Sequence, residues 1–182
     1  MRETEAHDKY NGVIWYLLGT WTVLRFFPKD IGVASVLLLS WCDTTASTVG
    51  RLYGRYTPKI RQGKSLAGSA AAAVVGVCTA LIWWGWIGPY YERIGVADNR
   101  PPYAFAFQGV LSLPAQACEV LGVTRQQATI TGPAAIGALS IVAGIVASVS
   151  EAIDIFGWDD NVTLPVLCGM GLWGFLKIFG SA

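Results

Sequence analysis

The sequence predicts an all-α fold, a polytopic membrane helix bundle with about five transmembrane helices. Three observations lead there. Of 182 residues, 53% are hydrophobic and 14% charged, which is too apolar for a typical soluble domain. The apolar residues gather into runs close to the length of a span, about 20 residues. Breakers separate those runs: Pro28, Thr57-Pro58, Gln62-Gly63 and Pro101-Pro102. The net charge of +1 supplies no global field for nucleic acid, so no nucleic-acid partner is expected. Cys42, Cys78, Cys118 and Cys168 lie scattered in apolar stretches, without metal-ligand or disulfide spacing, and read as small hydrophobes.

Residues 1–10 read as a polar, cytosolic N-terminal segment, and residues 11–182 as the membrane-embedded domain. The first span is Gly12–Phe27, closed by Pro28. Lys29 and Asp30 form a tight polar turn, and Ile31–Ser47 is the second span. Asp43 lies near its end. Its helical neighbours at three, four, seven and eleven positions are Ser40, Ala46, Ser47, Gly50 and Gly54, all small. A small face lets another helix or a ligand approach the backbone. A carboxylate inside a membrane usually faces a partner or a watery cavity. Five cations follow: Arg51, Arg55, Lys59, Arg61 and Lys64. An acid, glycines and then concentrated positive charge suit a metal–polyphosphate group beside a lipid. The same charges also suit a cytosolic loop under the positive-inside rule.

Ser65 is placed to cap a third helix, whose N-terminal N–H groups would favour phosphate. Gly63-Lys64-Ser65 is not a Walker A motif, because Gly54 is too distant and position 58 is Pro. The third span, Leu66–Gly88, carries Gly68, Ala72 and Gly76 at the four-residue spacing of packed helices. Trp83, Trp84, Trp86, Tyr90 and Tyr91 read as an interfacial aromatic belt at its far end. Asn99–Ile130 is interrupted by prolines and polar residues and is not counted as a span.

The fourth span, Gly132–Ser150, has a small face of Gly137, Ser140, Gly144, Ala147 and Ser148 that leads to Glu151 and Asp154. Asp159, Asp160 and Asn161 precede the fifth span, Val162–Phe179, and Asp160 or Asn161 could cap it. With the basic loop in the cytosol, the third span leaves that side and the fourth returns. Glu151–Asn161 then meets Asp43–Ser65 at one membrane face. Asn161-Val-Thr163 matches a glycosylation sequon but would face the cytosol, so it is expected unmodified.

The motifs together resemble a known family. Ser40-Trp-Cys-Asp43-Thr-Thr-Ala-Ser-Thr-Val-Gly50-Arg51, Gly54, Thr57-Pro58-Lys59 and Gly63-Lys64-Ser65-Leu-Ala-Gly68-Ser69 look like the CTP-transferase domain of fungal CTP-dependent diacylglycerol kinases. Ser150-Glu-Ala-Ile-Asp154 and Trp158-Asp-Asp-Asn161-Val-Thr-Leu-Pro165 look like its second block. The resemblance runs from about Asn11 to Pro165, and the family's motif aspartate and glycine fall on Asp43 and Gly50. Dolichol and phytol kinases and phosphatidate cytidylyltransferases are weaker matches. The family carries a basic, membrane-spanning N-terminal region ahead of the Asn11 equivalent, and only ten residues precede it here.

The resemblance implies phosphoryl transfer from CTP to diacylglycerol, with Mg2+ or Ca2+. It implies a multi-pass protein of the endoplasmic reticulum membrane and nuclear envelope, its site facing the cytosol. Asp43, Asp154 and Asp160 are the catalytic candidates, and Asp43, Asp154 and Asp159 the metal ligands. Gly50, Arg51, Gly54, Lys59, Lys64 and Ser65 are the nucleotide-binding candidates. The alternatives are a polyprenol kinase or cytidylyltransferase, and a truncated, non-catalytic membrane protein.

Overall fold

The computed structural model describes residues 3–61, 63–97, 105–153 and 159–180, with the backbone alone for residues 3–11, 92 and 95–97. It is a helix bundle. Five long helices carry it: α1 (Glu3–Phe26), α2 (Lys29–Tyr53), α3 (Leu66–Ile82), α6 (Pro133–Ala152) and α7 (Asp160–Phe179). Each overlaps one of the five predicted spans, with different ends. Three stretches, Leu66–Tyr91, Pro133–Ala152 and Asp160–Phe179, are long and apolar enough to cross a membrane. The 25 residues of α2 would reach about 37 Å, longer than a hydrocarbon core. Helix α1 begins at Glu3, inside the segment read as a polar tail.

The sequence explains the packing of the central helices. In α3, Gly68, Ala72 and Gly76 are all buried. A Cβ on Gly68 would lie 2.7 Å from the Ala46 carbonyl of α2, and one on Gly76 would lie 2.9 Å from the Gly144 Cα of α6. One small-residue stripe therefore brings α3 against both neighbours. The buried core runs through Ile31, Leu38 and Cys42 of α2, Ala72 of α3, Leu139 and Ala143 of α6, and Leu164, Cys168 and Leu172 of α7.

Two short antiparallel strand pairs close the ends of the bundle. At one end, a 3-10 turn (Gly54–Tyr56) leads into β1 (Lys59–Arg61) and β2 (Lys64–Ser65). Gly63, at φ +80°, makes the reversal between them. At the other end, a π-helical turn (Trp83–Ile87) joins α3 to α4 (Gly88–Ala97). Beyond it, β3 (Val110–Ser112) pairs with β4 (Thr129–Thr131), and α5 (Ala115–Leu121) lies between these two strands. The described part of Asn99–Ile130, from residue 105 on, is thus not a span, and the predicted Pro101-Pro102 loop lies outside the described residues.

Two sequence expectations at this second end need correction. Asp30 is not in a turn. It lies in the first turn of α2 and is fully buried. Its carboxylate accepts from Trp84 Nε1 at 3.3 Å, Ala106 N at 3.0 Å and Phe107 N at 3.1 Å. Trp83 Nε1 donates to the Asp30 carbonyl at 3.0 Å. Trp83 and Trp84 therefore leave the predicted belt, because a buried indole N–H needs an acceptor. Trp86, Tyr90 and Tyr91 remain exposed, as a belt requires.

Asp30→Ala would strand three donors at once. It should destabilise the protein by about 2–5 kcal/mol, at about 1–3 kcal/mol per lost partner and with partial relaxation. Thermal denaturation in detergent measures this. An unchanged melting temperature would show that the Asp30 contacts carry no load.

Candidate polyphosphate cleft

The helix directions bring both polar segments to one end of the bundle. Helix α2 ends there, α3 starts there, α6 ends there and α7 starts there. The junctions are built locally. Ser65 caps α3, its hydroxyl accepting from Gly68 N at 3.3 Å. Leu66 N donates to the Pro58 carbonyl at 3.0 Å and Ala67 N to Thr57 Oγ1 at 3.2 Å. The first N–H groups of α3 are therefore already occupied by its own loop. They are not free for phosphate, contrary to the sequence expectation. Asp159, and not Asp160 or Asn161, caps α7, its Oδ1 accepting from Asn161 N at 2.9 Å.

Lys64 is the centre of this end. Its ammonium stands 2.8 Å from Glu151 Oε1 and 3.1 Å from Asp160 Oδ2. Glu151 Oε2 accepts from Ser69 Oγ at 3.3 Å. Ser148 Oγ in turn donates to the Ser69 carbonyl at 2.9 Å, tying α6 to α3 beside the pair. The two carboxylates are not equivalent, for the Glu151 side chain is 3% exposed and that of Asp160 37%. Removing one partner of a buried pair costs about 3–5 kcal/mol, whereas exposed pairs contribute about 0–1 kcal/mol. The Glu151 contact therefore dominates. Burial alone would push Lys64 below the ordinary lysine range. The hydrogen bonds and charges of Glu151 and Asp160 outweigh it and hold Lys64 above that range.

A cleft of about 270 Å³ opens beside Lys64, lined by Ala46, Ser47, Gly50, Arg51, Gly63, Lys64, Ser65, Gly68 and Glu151. Four nucleotide-binding candidates, Gly50, Arg51, Lys64 and Ser65, are brought together here. Ser65 meets the cleft with a hydroxyl already engaged as a cap. Two candidates fall elsewhere. Gly54 is buried beneath Ser65, where a Cβ would lie 2.8 Å from the Ser65 hydroxyl. Lys59 is exposed on β1, outside the lining.

Asp43 is partly buried on α2, within electrostatic reach of Lys64, Asp160, Glu151 and Asp159. Asp154 lies outside the described residues. Among the described residues, no three acidic, histidine or cysteine side chains stand close enough to hold a metal ion. Glu151 is the charged lining residue that the sequence-based site assignment omits. Its signal was available, because it continues the buried stripe Ser140, Gly144 and Ala147 of α6 at four- and three-residue steps.

Lys64→Met isolates the electrostatic share of this pairing. Because Lys64 is held above its ordinary value, its contribution to stability is fully present below about 10.5, the ordinary lysine pKa. It is lost as the pH rises through Lys64's own, higher value. The gap in melting temperature between wild type and Lys64→Met should be wide at neutral pH and close at strongly alkaline pH. A gap independent of pH would mean that Lys64 stabilises by packing alone.

The chain matches no protein-family model and no solved structure. It is similar to three fungal proteins named CTP-dependent diacylglycerol kinase 1. Identity is 45% over 167 residues with that of Eremothecium gossypii, covering 92% of this chain and 44% of that protein. It is 40% over 179 residues with that of Saccharomyces cerevisiae, covering 98% and 53%. It is 41% over 167 residues with that of Schizosaccharomyces pombe, covering 92% and 61%. The chain spans about half the length of the curated relatives it matches. The resemblance read from the motifs therefore holds over nearly the whole sequence, and this chain is a relative of the fungal CTP-dependent diacylglycerol kinases.

Proposed function

We propose that this chain carries the catalytic core of a CTP-dependent diacylglycerol kinase, moving the γ-phosphate of CTP to the hydroxyl of diacylglycerol and leaving phosphatidate and CDP. The observation that carries the reading is the cleft where Arg51, Lys64 and the backbone at Gly50 and Gly68 meet the acids of α2, α6 and α7. Phosphoryl transfer demands positioning and charge neutralisation more than covalent chemistry. Arg51 and Lys64 would bind the triphosphate. Gly50, which places no side chain in the cleft, would let it approach the backbone. Asp43, Asp154 and Asp160 are the acids proposed to orient the acceptor hydroxyl and receive its proton.

A divalent cation, Mg2+ or Ca2+, fits this donor set in kind. Asp43, Asp154 and Asp159 offer hard carboxylate oxygens. Mg2+ is commonly held by one or two carboxylates and the substrate phosphates, so a preformed cage is not required. When bound, the ion would supply charge neutralisation at the phosphate oxygens. A lipid alcohol as acceptor agrees with a cleft at the end of a membrane-spanning bundle. The family resemblance adds the endoplasmic reticulum membrane, the nuclear envelope and a cytosolic face.

The test is the purified chain in detergent with labelled CTP or ATP, a divalent cation and a panel of lipid alcohols. Phosphatidate plus CDP supports the reading. Pyrophosphate plus a CDP-lipid would replace it with cytidylyl transfer, and phosphorylation of polyprenols alone would replace the acceptor. Asp43→Asn should lower phosphatidate formation by about a hundredfold to ten-thousandfold without loss of folded protein. Full activity in that variant would remove Asp43 from the chemistry.

A further inference from the structure

The two carboxylates on Lys64 differ in what they can release. Glu151 lies on the last turn of α6, and both its oxygens are engaged, one by Lys64 and one by Ser69. With its side chain 3% exposed, it has no water to replace a departing cation. Asp160 lies on the first turn of α7, and its carboxylate is open enough for water to take over when Lys64 leaves. Glu151 lines the cleft beside Lys64, whereas Asp160 does not. An anion entering the cleft therefore meets an ammonium held by a buried, fully engaged carboxylate and shared with a solvated competitor.

We infer that Glu151 is a positioning residue that holds Lys64 in both states, and that Asp160 is the partner which Lys64 surrenders to an incoming polyphosphate. This rests on the reading of the cleft as a nucleoside triphosphate site. Glu151 acts through Lys64. Ser69 fixes the second oxygen of Glu151, and the Ser148 contact fixes the backbone at Ser69. The exchange frees the Asp160 carboxylate when the triphosphate is in place. It thereby couples nucleotide binding to the availability of an acid.

Equilibrium binding of CTP and of inorganic tripolyphosphate, each with Mg2+, to the purified chain in detergent tests this. The variants are Glu151→Gln, Lys64→Met, their combination, Asp160→Asn and Ser69→Ala, each with a melting curve. Glu151→Gln should weaken both ligands by about tenfold, and by no further factor once Lys64 is Met, because residues acting as one unit are not additive. Asp160→Asn should tighten both by about two- to fivefold, since an anionic competitor for Lys64 is gone. Two carboxylates on one lysine would then act with opposite signs, which a purely structural role does not produce. Should Glu151→Gln not fold, Ser69→Ala must still weaken binding and Asp160→Asn must still tighten it.

Additive losses from Glu151→Gln and Lys64→Met would overturn the inference, and so would weaker binding by Asp160→Asn. In both cases the triphosphate site would stand. Wild-type protein that binds neither ligand would overturn both.

Discussion

The ion pair between Lys64 and Glu151 is the constraint on which this end of the molecule depends. It joins a connector that follows α2 to the last turn of a helix far along the chain. Lys64 then reaches Asp160, and so the start of α7 is included. The end of α6 and the start of α7 thus meet at one ammonium. Its strength comes from burial on the Glu151 side, and its adaptability comes from exposure on the Asp160 side. A site that must receive a highly charged ligand needs both.

The opposite end of the bundle solves a similar problem differently. Asp30 and Asp43 share α2 and stand about 20 Å apart along it. Asp30 is satisfied by two backbone N–H groups and an indole, and it is sealed. Asp43 is partly open and surrounded by further charges. One acid has its donors supplied by the fold, while the other faces charges that a ligand can rearrange. That difference distinguishes a structural carboxylate from a reactive candidate better than either sequence position does.

Much of this was legible in the sequence because it follows from periodicity. The long helices appear as apolar runs. The α3 stripe of Gly68, Ala72 and Gly76 announced close packing, and parity of crossings placed Lys64 and Asp160 at one face. What escaped lacks a period. Strands of two or three residues, such as β1 and β2, carry no alternation to read. Asp30 after Lys29 looks like a turn until Trp83, Trp84 and the distant Phe107 are folded onto it. The sequence also showed a helix start at Ser65, but not that Thr57 and Pro58 return to occupy its N–H groups. Lys59 and Gly54 matched the motif by type and order. Their places on β1 and beneath Ser65 depend on the hairpin, which no spacing rule gives.

A charge exchange tests most directly whether the connector and α6 meet through this one contact. Lys64→Glu and Glu151→Lys each place like charges together and should lower the melting temperature in detergent. The double variant restores an opposite pair in the same place, so it should melt well above either single variant. A double variant whose loss equals the sum of the two single losses would contradict the account, because the two side chains would then have no direct coupling.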